Sequence, residues 1–524
     1  MARPPEGMRR GRRGRGILLA VPMAILLYLL AAPTVVAVTP STEGTVAYGP
    51  VAAQISPLFF GGDFWLNAST ASAVTNFLNT TPIRLLRFYG ELDKSNVTNG
   101  HTYGSNGVAG PPKYNLQEDA QIAALASGSY TEIGLPAQIN SSWLFVHALQ
   151  YYYAAGLNPW AVGIGVEPNS WTHFNIPYTS WLTTDNVAPT GLQYALEVQR
   201  MIALLQPLYP GLRYYVQLSG FMHGNLAVKV RPYVENVSKI DGPNLTAITF
   251  DIYPQGITSR SPLTITGDIT ALTGYLANAS AWVAKKCPTA CANLRLGISE
   301  ENLAEQQAGP NLIGSAAAGV AWAAQVAQLL PVGCYYDGYW AASMNGGYGN
   351  GWNDSLFNAT SGLPQAAGDA LKVVRQLPRV SVAWANVSTS LANVYSVEGL
   401  NGTAAGLLVV NANTAGSLTL GSIGLKGPYT EYSAGNTSSY TVTTVPSSSS
   451  VTIPALSEAV FVGQVPTGGT VANGSGSTPP PGAGGFLFAD GPVSYAWSVV
   501  LGVVGIGVFI VAFAVEGRQR PRHE

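Results

Sequence analysis

Trp160-Ala161-Val162-Gly163-Ile164-Gly165-Val166-Glu167-Pro168-Asn169-Ser170-Trp171 is a short apolar run that stops on a carboxylate. Its composition is that of a strand covered on both faces, and its one ionisable group sits at the C-terminal lip. About 130 residues on, Leu294-Arg295-Leu296-Gly297-Ile298-Ser299-Glu300-Glu301-Asn302 repeats the pattern. Around these runs, strand-like and helix-like segments alternate, which implies parallel strands joined by helical crossovers. Strands are predicted over 57–65, 83–89, 130–135, up to 167, 212–218, 247–253, up to 300, and 334–340. Helices are predicted over 70–78, 116–126, 142–155, 191–208, 228–238, 271–286, 314–330 and 366–377. Eight such units predict a (β/α)8 TIM barrel over 45–378, whose active face is built where the strands end. Glu167 then closes strand four and Glu300 closes strand seven.

Beyond Pro378 the texture changes. Residues 379–465 are rich in Val, Thr, Ser and Gly in short strand-like runs, which predicts a small antiparallel β-sandwich. The segment 44–51 is a candidate extra strand for it. Residues 466–490 read as a flexible Gly/Ser/Pro linker. Residues 493–515 are uncharged, apolar and of bilayer-spanning length, with Tyr495 and Trp497 near one end and Arg518, Arg520 and Arg522 beyond the other. The expectation is a C-terminal transmembrane helix with a short basic cytoplasmic tail, 516–524, and the body of the chain outside the cell. Residues 1–38 pair an Arg-rich start with an apolar run and read as a signal peptide or signal anchor.

A net charge of -1 gives no reason to expect a nucleic-acid partner. Charged residues make up only 10% of the chain, so hydroxyls and amides must carry its solubility, a balance that suits an acidic surrounding. Thirteen Asn-x-Ser/Thr sequons, about twice the chance expectation, favour a glycosylated exported protein. Cys287 and Cys291 bracket Pro-Thr-Ala and are placed to form a small disulfide in an oxidising compartment, while Cys334 reads as a buried thiol. Neither the three cysteines nor the five histidines show metal-ligand spacing, so no metal or cofactor is expected. The oligomeric state is left open.

Two carboxylates at the lip of a barrel are the minimum equipment for breaking a glycosidic bond: one protonates the leaving oxygen while the other acts at the opposite face of the sugar. Glu167 fits the acid/base and Glu300 the nucleophile. Strict alternation along strand seven would instead put Glu301 on the face of Gly297 and Ser299, so the choice between the two glutamates stays open. Trp171, Tyr336 and Trp340 are candidates for stacking on sugar faces. Asp63 and His223, near the ends of strands one and five, are cleft candidates, and Asn169 lies beside the acid/base.

Glutamates closing strands four and seven are the arrangement of the clan A retaining glycoside hydrolases. Gly165-Val166-Glu167-Pro168-Asn169-Ser170-Trp171 resembles the Gly-Asn-Glu-Pro-Asn-Ser-aromatic motif of the heparanase and β-glucuronidase family. Ile298-Ser299-Glu300-Glu301-Asn302 resembles that family's nucleophile motif. The resemblance covers about residues 45–465 and implies a barrel followed by a β-sandwich and cleavage of β-linked glycans with retention. It implies that Tyr253 hydrogen-bonds the nucleophile and that Arg87 steadies its charge. The chain departs from the motif at Val166, where the family has an Asn that contacts the sugar 2-hydroxyl. That departure keeps a second expectation in view, a catalytically inactive barrel serving as a carbohydrate-binding or cell-envelope protein.

Overall fold

The computed structural model describes residues 41–64, 71–81, 83–88, 95–96, 101–103, 109–110, 130–135, 158–165, 167–170, 190–220, 226–252, 265–301, 315–343, 356–358, 362–435 and 438–465, with a few helical positions between 146 and 153. The N-terminal strand is β1 (Ser41–Gln54), followed by β2 (Phe60–Phe64) and β3 (Leu85–Phe88). Short strands β4 (Ser95–Asn96), β5 (His101–Tyr103) and β6 (Ala109–Gly110) form a small sheet of their own. Then come β7 (Tyr130–Leu135), β8 (Ala161–Ile164), β9 (Arg213–Ser219), β10 (Ala247–Ile252), β11 (Arg295–Glu301) and β12 (Asp337–Ser343). Strands β2, β3 and β7 to β12 close into a parallel barrel in chain order.

Side chains alternate across this wall as a strand requires. Leu85, Ala161, Tyr215, Ala247 and Tyr336 point inward near the strand starts and form a separate buried cluster that floors the barrel. Their neighbours Leu86, Val162, Val216 and Ile248 point outward into the larger core beneath the helices. Several strands have other limits than expected; β2, for one, begins at Phe60, three residues later than predicted. β8 stops at Ile164, three residues short of Glu167, because Gly165 turns the chain with φ 70°. β12 begins at Asp337, three residues later than predicted.

The outer layer contains α1 (Ala71–Thr80), α2 (Gly191–Leu205), α3 (Leu226–Lys229), α4 (Arg231–Asp241), α5 (Ile265–Lys286), α6 (Ala316–Leu329) and α7 (Ala366–Val374). The predicted helix 116–126 and most of 142–155 lie outside the described residues. Helix α2 opens with a capping box: the Thr190 hydroxyl accepts from the Gln193 amide, and the Gln193 side chain accepts from the Thr190 amide. Helix α6 is apolar almost all round, which is stable only where both sides are covered. One side lies on the barrel and the other meets α7 and the second sheet. Gly319 allows the close approach to α7, since a Cβ there would come within 2.8 Å of the Ala370 side chain.

The remaining strands are β13 (Ser381–Thr389), β14 (Val394–Asn401), β15 (Ala404–Asn411), β16 (Ser417–Leu420), β17 (Lys426–Gly435), β18 (Ser438–Val445), β19 (Val451–Ile453) and β20 (Ser457–Gln464). With β1 they hydrogen-bond as one sheet in the order β18-β17-β20-β15-β14-β13-β1-β16-β19, where two separate sheets were expected. The sheet folds on itself. Leu418 and Ile453 from one end share a core with Leu407 and Phe461 from the other, and bulges at Tyr48/Val51 and Val51/Ala53 bend β1 between them. The alternate residues Leu408, Val410 and Val460 face the barrel core. β1 runs antiparallel to β13, so the chain is anchored in the second sheet before the barrel begins.

Among the described residues no helix is long and apolar enough to cross a membrane; 1–38 and 466–524, with both apolar runs, lie outside them. Cys287 and Cys291 form a disulfide, and Cys334 is a buried free thiol.

Asp241, the last residue of α4, is fully buried, and neither carboxyl oxygen has a hydrogen-bond partner among the described residues. Burial pushes its carboxyl up to about 7 from an ordinary 3.8, and pushes that of Glu398 in β14 up to about 7 from 4.5. Both groups are protonated when folded in mild acid and ionised when unfolded, so folding takes up protons. Their contribution is therefore fully present below the ordinary carboxyl range and is lost as the pH rises through about 7. Melting temperature should fall between pH 5 and 8 more steeply in the native chain than in Asp241→Asn/Glu398→Gln; an equal or shallower fall would refute the assignment.

Candidate active site

Above the apolar floor the barrel interior turns polar. Arg87 of β3 is completely buried, and its Nη1 donates to Glu300 Oε1 at 2.8 Å. Its Nη2 donates to Gln217 Oε1. Gln217, from β9, uses Nε2 to donate to Glu300 Oε1 at 2.7 Å and to Asp251 Oδ2 at 2.6 Å. Ser299 Oγ donates to Asp251 Oδ1 at 2.7 Å. One connected network thus joins four strands, and every described member is buried.

The register explains how Glu300 reaches this network. Phe250 pairs with Ile298 but Asp251 pairs with Glu300, so β11 carries one extra residue at that level. The bulge resets the alternation, and Ser299 and Glu300 both turn toward Asp251. Glu301 instead stands in register with Ile252 and Tyr339, whose side chains lie in the core outside the barrel.

Glu167 is held differently. It is half-buried and has φ 47°, a left-handed conformation that costs a non-glycine residue about 1–3 kcal/mol. Fixed groups on either side maintain it. Behind it, the buried Tyr194 hydroxyl of α2 donates to the Ile164 carbonyl at the end of β8. Ahead of it, Pro168–Ser170 form a short 3-10 turn. There the Asn169 Nδ2 donates to the Ser219 carbonyl at 2.9 Å and the Lys229 carbonyl at 3.3 Å, and the Ser219 amide donates back to Asn169 Oδ1 at 2.9 Å.

Burial, then the charge of Glu300, then that of Glu167, push the Asp251 carboxyl well above the usual carboxylate range. Arg87 and the Ser299 hydrogen bond act in the opposite direction. Glu167 therefore lies close enough to the interior for its charge to bear on Asp251.

Of the residues singled out from sequence, Glu167, Glu300 and Arg87 converge at the C-terminal end of the barrel. Asp63 stands in register with Arg87, and Trp340 lies within β12. Two of these residues are bound into the structure itself. Tyr336 packs in the floor at the opposite end of the strands, so it is a core residue and not a sugar platform. Asn169 commits its amide to the backbone of β9 and α3, so it positions the Glu167 turn. Trp171, His223, Tyr253 and Val166 lie outside the described residues. Sequence reading passes over Gln217, Asp251 and Ser299. Their signal is a lone polar side chain at an inward position of an apolar strand, as in Tyr214-Tyr215-Val216-Gln217-Leu218. Glu132 of β7 was also passed over; it stands in register with Arg87.

No family model and no curated protein matches the chain by sequence. Its fold is similar to several solved structures. The α-L-arabinofuranosidase of Thermotoga maritima aligns over 80% of this chain and 100% of its own, at 11% identity and a TM-score of 0.57. The Paenibacillus polymyxa xyloglucanase of glycoside hydrolase family 44 aligns over 81% of this chain and 100% of its own, at 14% identity and a TM-score of 0.56. A bifunctional glucanase-xylanase from a metagenome library aligns over 81% and 99%, at 13% identity and a TM-score of 0.55. The likeness is one of fold: a TIM-barrel-like α/β domain with a sheet-rich second domain.

Removing one partner of a buried ion pair strands the other charge, at a cost of about 3–5 kcal/mol. Arg87→Met should therefore lower the unfolding free energy by about that amount, and Arg87→Met/Glu300→Gln should recover part of the loss. Denaturant titration checks both; an unchanged stability in the single variant would contradict the pairing.

Proposed function

We propose that the protein is a retaining glycoside hydrolase acting on a β-linked glycan, with Glu300 as nucleophile and Glu167 as acid/base. The observation that carries this reading is the buried Arg87–Glu300–Gln217 contact at the end of β11, with Glu167 near enough for its charge to act on the same interior. The motifs around both glutamates and the fold shared with glycoside hydrolases support it.

The chemistry follows from the geometry. Arg87 and Gln217 both bind Oε1 of Glu300, which fixes the rotation of the carboxylate that attacks the anomeric carbon. Glu167 gives its proton to the leaving oxygen as that bond breaks, and a glycosyl ester forms on Glu300. Glu167, now a carboxylate, takes a proton from water as the water attacks the anomeric carbon, which frees Glu300 and regenerates the acid. The half-buried, turn-borne Glu167 meets solvent and leaving group, whereas Glu300 is held inside the barrel. Tyr253, which follows β10 closely, is proposed to hydrogen-bond Glu300. Asp63, Trp171, His223 and Trp340 are proposed sugar contacts.

The same reading places the protein outside the cell, held by the 493–515 span, with the glycan as its partner. The Cys287–Cys291 disulfide fits an oxidising compartment. Of the described sequon residues, Asn79, Asn244, Asn278, Asn358, Asn386 and Asn401 are exposed, as glycosylation would require, whereas Asn236 is half-buried and donates its Nδ2 to the Pro232 carbonyl. Val166 in place of the family Asn favours one alternative, an inactive barrel that binds glycans; binding without hydrolysis across a broad glycan panel would select it.

Glu300→Ala should abolish turnover. Glu167→Ala should lose far more activity on substrates with poor leaving groups than on aryl glycosides whose leaving group needs no proton. Equal losses on both, or full activity in Glu300→Ala, would remove these roles.

A further inference from the structure

Asp251 is not part of the two-glutamate chemistry, yet it lies at the centre of the polar interior and is only 2% exposed. Its Oδ2 and the Oε1 of Glu300 share a single donor nitrogen, Gln217 Nε2, so the two oxygens are no farther apart than the sum of those two short bonds. The groups that face it can be named element by element. β11 contributes Glu300 and Ser299, the turn after β8 contributes Glu167, β3 contributes Arg87, β9 contributes Gln217, and Tyr275 of α5 lies within electrostatic range. Asp63 of β2 and Glu132 of β7 flank Arg87 in register. Among the described side chains that act on Asp251, Arg87 is the one cation, against the carboxyls of Glu300 and Glu167. Arg87 gives its hydrogen bond to Glu300 and reaches Asp251 by charge alone, too weakly to offset burial and the two glutamates.

We propose that Asp251 is a positioning residue that works as a neutral carboxylic acid, fixing Gln217 so that Gln217 and Arg87 together hold Glu300 in its attacking orientation. Gln217 has one acceptor and two donor hydrogens. Arg87 occupies the acceptor, and Asp251 Oδ2 takes one of the donors, so the other must point to Glu300 Oε1. The proton of Asp251 sits on Oδ1 and is directed to Ser299 Oγ, reversing the sense of that hydrogen bond. The interior then carries the Arg87–Glu300 pair and no second buried anion, an arrangement in which two carboxyls that share a site do not both ionise. This role rests on the hydrolase reading, whereas the protonation of Asp251 does not.

The test is the full chain against Asp251→Asn, an isostere of the neutral acid that can accept from Gln217 and donate to Ser299. A carboxyl protonated in the folded state and ionised in the unfolded state loses stability as pH rises. Relative to Asp251→Asn, the unfolding constant of the native chain should rise about tenfold per pH unit above pH ~4. In the same preparations Asp251→Asn should keep kcat within a few-fold and leave both limbs of the kcat pH profile in place. Gln217→Leu, which removes the link, should lower kcat at least tenfold with a smaller change in KM. A flat stability difference, a displaced pH profile, or an Asp251→Asn chain that does not fold would each overturn the proposal. If the linkage slope holds but the native chain hydrolyses no glycoside, the hydrolase reading fails and Asp251 remains a buried neutral acid. If the chain is active and the slope is absent, the reverse follows.

Discussion

A guanidinium and a carboxylate buried together inside a barrel make the demand that the rest of this structure meets. Taking two charges out of water costs several kcal/mol each, and their attraction repays this only when geometry is good and the remaining hydrogen-bonding groups are satisfied. Gln217 binds Arg87 and Glu300 simultaneously, which fixes the geometry of the pair. Each of the three stands on a different strand, so the network exists only when the barrel is closed. The bulge in β11 brings Glu300 into it. A floor of Leu85, Ala161, Tyr215, Ala247 and Tyr336 closes the barrel below it, so the polar layer lies toward the strand ends.

The second half of the chain stiffens this arrangement. Helices α6 and α7 are trapped between barrel and sheet, and their small residues allow close packing. β1 joins the second sheet before the barrel starts, so the first barrel strand enters from an anchored position. The strained Glu167 turn is the exception to an otherwise regular wall. Tyr194 and Asn169 hold its two flanks by hydrogen bonds to neighbouring backbone, which keeps the conformation from relaxing.

Much of the barrel was legible because its strands are buried on both faces and bounded by turn residues. The run 130–135 coincides with β7, and the helix starts near 191 and 366 coincide with those of α2 and α7. The glutamates stood out as charges at the ends of apolar runs. What was not legible depends on register. A bulge cannot be read from Ile298-Ser299-Glu300-Glu301, because alternation alone gives the wrong parity there. Tyr336 looked like a sugar platform because its position just before a strand is also where a floor residue stands. The bracing role of Asn169 leaves no mark in sequence because the carbonyls that take its amide, on Ser219 and Lys229, are some 50 and 60 residues away. The sandwich was foreseen as two sheets because pairing across the bends of β1 leaves no mark on composition.

The central claim is that the buried carboxylate on the β11 bulge forms the bond to sugar. The direct measurement is peptide mapping by mass spectrometry after incubation with a panel of activated 2-deoxy-2-fluoro glycosides, which slow release of a glycosyl-enzyme. The account predicts a single sugar adduct on Glu300. An adduct on Glu301 or Asp251, or turnover that inverts the anomeric centre with no adduct at all, would contradict it.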